Sequence, residues 1–315
     1  MKKTYPIEQS RLYQIQSRKK LADLLGTSLS RLKTLSEQPG TYRVFTIHEN
    51  GKSRVIEEPN PELKAIHGRL LVLLSRIEPP AYLHSGVKGR SYVSNAREHV
   101  GRGRILKTDV SRFYPSTTHR QVFIGFLREL RCSGDVARLL ADLCTFQGHV
   151  PTGSPISMPA AFLAHKQIFD AMYFQMRRRN IALTVYVDDI SLSDEALMRL
   201  HLCPIKKAFE NIGLRVHKTR FFGSHAASVT GTIVKGNNLL LPNRRHQKIS
   251  DGLKQLTVEP DASERLRLSS TIVGQIHEAA NVDSRCRERA GQYLRIVAKL
   301  LAKRNDESNQ PNPQP

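Results

Sequence analysis

Ala182-Leu183-Thr184-Val185-Tyr186-Val187-Asp188-Asp189-Ile190-Ser191-Leu192-Ser193 is the stretch on which the fold turns. Alternating apolar and β-branched residues on both sides of the acids predict a β-hairpin with two adjacent carboxylates at its tip. Carboxylates forced together raise each other's pKa, so such a pair is costly unless a cation shares it. Hard oxygen ligands at this spacing suit Mg²⁺, which bridges protein and substrate phosphates. Aspartate is also common in ordinary turns, so the pair needs a third acid from elsewhere.

Arg104-Ile105-Leu106-Lys107-Thr108-Asp109-Val110 supplies it. This segment predicts a strand with Asp109 near its end, stopped before Pro115. If it lies beside the hairpin, three carboxylates converge. Two-metal phosphoryl transfer requires such a cluster: one ion lowers the pKa of an attacking hydroxyl and the other steadies the leaving pyrophosphate, about 3.5–4 Å apart.

In order and spacing these residues resemble the palm of reverse transcriptases. The resemblance rests on Asp109 with an aromatic five positions on, Gly153-Ser154-Pro155, Tyr186-Val187-Asp188-Asp189, and Gly213-Leu214-Arg215-Val216-His217-Lys218-Thr219. It covers roughly residues 40 to 240, and four ordered motifs are far more specific than one. Asn95-Ala96-Arg97-Glu98-His99 resembles the N-A-x-x-H element, and Val229-Thr230-Gly231 the V-T-G element, of bacterial retron reverse transcriptases. Read without the family, Asn95 is a helix cap, His99 a surface histidine, and Val229-Thr230-Gly231 a strand ending at a tight turn.

The resemblance implies an α+β fold: a right-hand polymerase with fingers, a ferredoxin-like palm of antiparallel sheet and helices, and a helical thumb. The expected segments are 1–40, an N-terminal helical region; 41–240, fingers and palm; 241–305, a basic helical thumb; and 306–315, a disordered tail. Leu21, Leu24, Leu25, Leu29, Leu32 and Leu35 predict helices over 10–36, interrupted at Leu24-Leu25-Gly26-Thr27-Ser28 in the manner of a helix-turn-helix. Helices packed beside the fingers are the reading we favour over a DNA-reading helix. Residues 41–57 predict a hairpin turning at Gly51-Lys52-Ser53-Arg54, and 62–77, 121–146 and 158–179 predict helices. Beyond Pro242, cations crowd three predicted helices broken near Glu259-Pro260 and Asn281, which suits a module gripping a nucleic-acid backbone.

The bulk composition agrees. Over 315 residues, 49 Lys and Arg against 28 Asp and Glu give a net charge of +21, so a polyanion is the expected partner. Cys132, Cys144, Cys203 and Cys286 have no paired spacing, which argues against a zinc site or disulfide framework and fits a reducing bacterial cytoplasm. The Met1-Lys2-Lys3-Thr4-Tyr5-Pro6 start has no apolar core behind it, so no signal peptide is expected, and no run approaches a membrane span.

Family roles transfer residue by residue as expectations. Asp109, Asp188 and Asp189, with the Val110 carbonyl, hold two Mg²⁺ ions, Asp189 being the outer acid. Lys218 protonates or stabilises the pyrophosphate, Tyr114 sits under the incoming sugar and rejects a 2′-hydroxyl, and Lys52 or Arg54 clamps the triphosphate near Gly153. Asn95, His99, Val229, Thr230 and Gly231 lie in the elements associated with RNA. Thr152 stands where the family usually carries glutamine, so that side chain's contact does not transfer. Retron resemblance further implies a cognate structured noncoding RNA, a branched msDNA product begun from a guanosine 2′-hydroxyl, dNTP substrates, trimming by cellular ribonuclease H, and a separate effector in antiphage defence. The alternatives are another bacterial reverse transcriptase, group II intron-like or protein-primed, and a noncatalytic RNA-binding scaffold.

Overall fold

A computed structural model describes residues 4–37, 40–49, 51–223 and 225–307, with all side chains except those of Glu49, Lys52 and 303–307. Of the expected tail, 308–315 lie outside the described residues. Numbered along the chain, the first elements are α1 (Arg18–Leu25), α2 (Leu29–Glu37), β1 (Tyr42–Glu49), β2 (Lys52–Pro59), α3 (Pro61–Leu74) and α4 (Tyr92–Arg97). There follow β3 (Arg104–Val110), α5 (Phe113–Ser116), α6 (His119–Leu130), α7 (Gly134–Cys144) and α8 (Ser157–Arg177). Then come β4 (Ala182–Tyr186), β5 (Asp189–Asp194), α9 (Leu202–Glu210) and β6 (Val216–Phe222). The last are β7 (Ala227–Val229), β8 (Thr232–Lys235), β9 (Asn238–Leu240), α10 (Asn243–Val258), α11 (Ala262–Val282) and α12 (Ser284–Glu307). The fold is thus mixed helix and sheet, in two compact units: the chain up to Ser91 with Leu106–Phe221, and Tyr92–Ile105 with everything from Phe222 onward.

The N-terminal helices are punctuated where the sequence says. Ser17 caps α1 through the Lys20 amide, and Gly26, at φ +75°, ends it in the left-handed conformation that glycine adopts freely. Leu21, Leu24, Leu25, Leu32 and Leu35 are all buried. Each such leucine contributes about 1.5–3 kcal/mol relative to exposure, which docks two helices too short to persist alone.

In the first unit the strands run in the order β4-β5-β3-β6. With α6–α8 between β3 and β4, and α9 between β5 and β6, the connectivity is β-α-β-β-α-β. Leu106, Val110, Leu183, Val185, Ile190 and Leu192 carry the sheet into the core, where Phe169 of α8 meets Phe209 of α9 edge-on at 5.8 Å. Gly125 lets α6 approach α8 closely, since a Cβ there would lie 2.7 Å from Ala164 Cα.

Three expectations about elements are corrected. The helix predicted over 121–146 is two, because Arg131 takes φ +48° and the chain restarts at Ser133. Lys52-Ser53-Arg54 is strand rather than turn: Gly51 takes φ +71°, and Glu49 already pairs with Lys52. The helical stretch expected from residue 10 begins only at Arg18, because residues 10–17 form turns and extended backbone ahead of the Ser17 cap.

The second unit holds α4, the three-stranded sheet β7-β8-β9 and helices α10–α12. One apolar cluster gathers Leu256, Ile272, Ile276, Ala279 and Val297 from the three long helices. Another joins Ala96 of α4 to Ala227, Val229 and Val234 of the small sheet. Among the described residues no helix is long and apolar enough to cross a membrane.

Candidate active site

The hairpin forms as predicted. Tyr186 pairs with Asp189, so Val187-Asp188 is a two-residue loop and Asp189 opens β5. Val187 has φ +60° while Asp188 does not have positive φ, the sign pattern of a type II′ turn, which favours glycine at its first central position. A β-branched residue held there stores about 1–3 kcal/mol of strain. Two hydrogen bonds hold the loop: the Val187 amide donates to Ser85 Oγ at 2.9 Å, and the Val110 amide donates to the Asp188 carbonyl at 2.9 Å.

The second bond brings β3 against the hairpin, and the three expected acids gather. Burial opposes ionisation of Asp109, but a hydrogen bond shared with Asp189 and the charges of Lys107 and Lys218 outweigh it and hold Asp109 below the usual carboxylate range. Asp189 moves the other way, pushed up to about 7 by burial and by its bond to Asp109. Proximity thus drives the two carboxyls apart, Asp109 towards the ionised form and Asp189 towards the protonated one. Burial, then the Asp109 charge, also raises Asp188. Lys107 Nζ lies 3.2 Å from Asp189 Oδ1, and Lys218 Nζ lies 3.5 Å from Asp109 Oδ2. His217 Nδ1 donates to the Asp109 carbonyl at 3.3 Å.

Asp109 Oδ1 is buried and accepts no hydrogen bond. Leaving such an acceptor bare costs about 1–3 kcal/mol or more when charged, so the oxygen calls for a cation. Clustered carboxylate oxygens are the donor set Mg²⁺ prefers, and the residues present fit that ion.

Of the other expected site residues, Tyr114 lies near this cluster, and Gly153 and Arg54 belong to β2 and the loop packed on it. Tyr114, on the one-turn helix α5, is half-buried; burial and then the Asp188 charge raise its phenol above the ordinary range. Gly153 packs against β2, where a Cβ would come within 2.8 Å of the Glu57 carbonyl oxygen. Thr152, the departure from the family, donates its hydroxyl to the Val55 carbonyl at 2.7 Å and its amide to Glu57 Oε2 at 3.1 Å, tying the loop to β2. Arg54 is exposed on β2, and the Lys52 side chain lies outside the described residues.

The two retron-like elements meet in the second unit. Thr230 and Gly231 form the two-residue β7–β8 turn with φ +42° and +84°, the paired positive angles of a type I′ turn. The Thr230 hydroxyl donates to the Tyr92 carbonyl at 2.8 Å, and Asn95 Nδ2 reaches Thr230 Oγ1 at 3.5 Å. Asn95 and His99 are each 1% exposed and Val229 is fully buried. Asn95, inside α4, is therefore not a cap and His99 not a surface histidine; both side chains are buried. The bracket continues outward, since the Tyr92 hydroxyl bonds Glu278, which pairs with Arg245 of α10 at 2.8 Å.

Lys107, His217 and Ser85 were missed by motif reading. Lys107 had a signal, lying two residues before Asp109 and so on the same strand face. Ser85 had none, being 102 residues from the amide it accepts. His67 was missed too: its Nε2 donates to the Leu143 carbonyl at 2.7 Å while Nδ1 accepts from Ser154 Oγ at 2.7 Å, anchoring the glycine-serine loop. In the second unit, His246, Asp283 and Cys286 have ligand-type atoms within 4.8 Å of one another, beside a cavity of about 710 Å³. Both Asp283 oxygens are already taken by Arg285 and the Leu241 amide, so this carboxylate serves the start of α12.

No protein-family model matches the chain. Curated proteins do. A Retron Se72 reverse transcriptase of Salmonella heidelberg is 29% identical over 182 residues, 56% of this chain and 47% of that protein. The chain is similar to bacterial retron reverse transcriptases. Retron Ec86 reverse transcriptase of Escherichia coli is 28% identical over 163 residues, 50% of this chain and 51% of its own length. Retron Mx65 reverse transcriptase of Myxococcus xanthus is 31% identical over 206 residues, 57% of this chain and 48% of its own. The chain thus spans about half the length of these retron relatives. Among solved structures, telomerase from Candida albicans in complex with a TWJ fragment of telomeric RNA aligns with a TM-score of 0.47 and 10% identity, over 89% of this chain and 62% of that one.

Proposed function

We propose that this chain is the RNA-directed DNA polymerase of a retron. The observation that carries the reading is the gathering of Asp109, Asp188 and Asp189, with the buried, partnerless Asp109 Oδ1 among them. In this reading β1–β2 and the neighbouring helices are fingers, the four-stranded sheet is a ferredoxin-like palm, and α10–α12 form the thumb. The segments 1–40, 41–240 and 241–305 keep their expected roles, while α12 runs on through Glu307, past the expected start of the tail at 306.

Two Mg²⁺ ions held by Asp109, Asp188 and the Val110 carbonyl would supply activation of the attacking hydroxyl and charge neutralisation at the pyrophosphate. In the reaction an oxygen–phosphorus bond forms at the α-phosphate, the α–β bond breaks, and pyrophosphate leaves. Asp189, paired with Lys107, tunes the cluster from outside. Lys218 is largely exposed and free to swing from Asp109 towards the leaving group, where it donates a proton or neutralises charge. Tyr114 closes the space under C2′ and selects deoxynucleotides. Lys52 or Arg54 holds the triphosphate, with Gly153 keeping the adjacent loop tight on β2.

Asn95, His99, Val229, Thr230 and Gly231 serve RNA recognition indirectly, by bracing the surface that the RNA meets. The basic thumb follows the backbone, and 2′-hydroxyls and shape confer preference for a cognate structured noncoding RNA. Synthesis begins from a guanosine 2′-hydroxyl and yields msDNA, cellular ribonuclease H trims the template, and the complex acts with a separate effector in antiphage defence in the bacterial cytoplasm.

The test is to purify the protein from cells carrying its native flanking DNA and to run the bound nucleic acid with and without ribonuclease and debranching enzyme. Short DNA that shifts after either treatment, and is absent with Asp188→Asn, is the expected result. RNA alone in both preparations would overturn the polymerase reading in favour of a scaffold. Unbranched DNA dependent on Asp188 would remove the retron assignment alone.

A further inference from the structure

We propose that Ser85 is a positioning residue for the catalytic hairpin, holding Val187 in a backbone conformation that this side chain resists and so fixing where Asp188 presents its carboxylate. The inference rests on the polymerase reading for its catalytic consequence, but not for its geometry.

Val187 is β-branched and sits at φ +60°, where a Cβ is crowded and a branched one more so. Nothing in the two-residue loop itself favours that angle, because the position is one that glycine prefers. The restraint comes from a segment remote in sequence. Residues 82–85 lie along β4: Leu83 bridges Val185, the Val185 amide donates to the Tyr82 carbonyl at 2.8 Å, and the His84 amide donates to the Val185 carbonyl at 2.9 Å. One residue further on, buried Ser85 meets the Val187 amide at 2.9 Å through its side chain. The backbone pairing has passed to a hydroxyl at the point where the hairpin turns away.

Both ends of this prop are anchored to α8. Tyr82 is buried and its hydroxyl donates to Asp170 Oδ1 at 2.6 Å. Gly86, at φ +64°, has Met158 Cε only 1.9 Å from where a Cβ would sit, so the methionine methyl occupies the space glycine leaves. Ser85 is thus carried on a braced segment, and its Oγ has little freedom to follow the turn if the turn relaxes. With the Val110 amide fixing the Asp188 carbonyl from the other side, the loop is held at consecutive residues.

Hydrogen–deuterium exchange over the peptide containing residue 187, together with steady-state dNTP incorporation, tests this in Ser85→Ala, in Val187→Gly and in the double variant. Losing one buried hydrogen bond should speed Val187 amide exchange and lower kcat by about tenfold each, with the KM for dNTP nearly unchanged. In the Val187→Gly background, where positive φ is free of strain, Ser85→Ala should add little to the loss of kcat. Unchanged exchange in Ser85→Ala, or an equal loss of kcat in both backgrounds, would overturn the proposal. Faster exchange in a protein whose wild type makes no DNA would support the prop and defeat the polymerase reading instead.

Discussion

The backbone amide of Val110 donates to the carbonyl of Asp188 across 2.9 Å. Each partner belongs to a carboxylate pair that sequence alone leaves 79 positions apart, since Val110 follows Asp109 and Asp188 is the hairpin acid. A main-chain bond therefore ties the strand that carries Asp109 to the hairpin that carries Asp188.

Because that tie is main-chain, amide replacement of the acids should leave the fold intact and remove the chemistry. Asp109→Asn and Asp188→Asn are each expected to lower DNA synthesis at least about a thousandfold, as loss of several kcal/mol of charge stabilisation requires. RNA affinity in a filter-binding assay should stay within a few-fold. Wild-type synthesis in either variant would remove the residue from the site.

Burial, and then the charge of nearby Asp188, raises the Tyr114 phenol, which therefore stays neutral across the working pH range. Tyr114→Ala should raise ribonucleotide incorporation relative to deoxynucleotide by at least about tenfold, measured as the ratio of kcat/KM values, since a filled van der Waals contact is replaced by space. An unchanged ratio would leave the ring a core role only.

Thr230→Val keeps the shape of the turn residue and removes the hydroxyl that braces Tyr92 and Asn95. Stability of the second unit should fall by about 1–3 kcal/mol in urea unfolding, the penalty for stranding buried polar groups. Any loss of RNA binding should recover at lower temperature, where the bracket stays folded. Temperature-independent loss with unchanged stability would show instead that Thr230 touches RNA.

His67 and His165 are buried and neutral, each held down to about 4, chiefly by burial. Their unfolded value is near 6.5, so between about 6.5 and 4 the unfolded chain binds protons that the folded one refuses. Stability is accordingly full above the unfolded value and lost as pH falls through this window, by up to about 1.4 kcal/mol per pH unit for each histidine. Urea midpoints at pH 7.5 and 5 check the sign. A shallower slope in His67→Gln would assign part of it to the anchor of the glycine-serine loop.

Much of this was legible in the residues. The hairpin, the strand bearing Asp109, the helix stop at Gly26 and the three C-terminal helices follow from periodicity and from turn chemistry, both local properties. The misread elements failed for reasons that pattern does not contain. Arg131 splits a helix by adopting a left-handed angle its side chain does not advertise. Gly51 absorbs a turn that the polar Lys52-Ser53-Arg54 run suggested. Asn95 and His99 are polar, yet they are buried because a small sheet from 130 residues later closes over α4.

By itself, then, the sequence determined the identity and order of the acidic motifs, the periodicity of most elements and a net charge of +21, all of which depend on residue type and near-neighbour spacing. Only the tertiary structure decided that burial and contact raise the Asp189 carboxyl while nearby lysines hold Asp109 low. It alone set Lys107 and Lys218 against those acids and Ser85 against a strained valine. Burial, charge proximity and hydrogen bonding between distant segments depend on distances in space, and those exist only once the chain has folded.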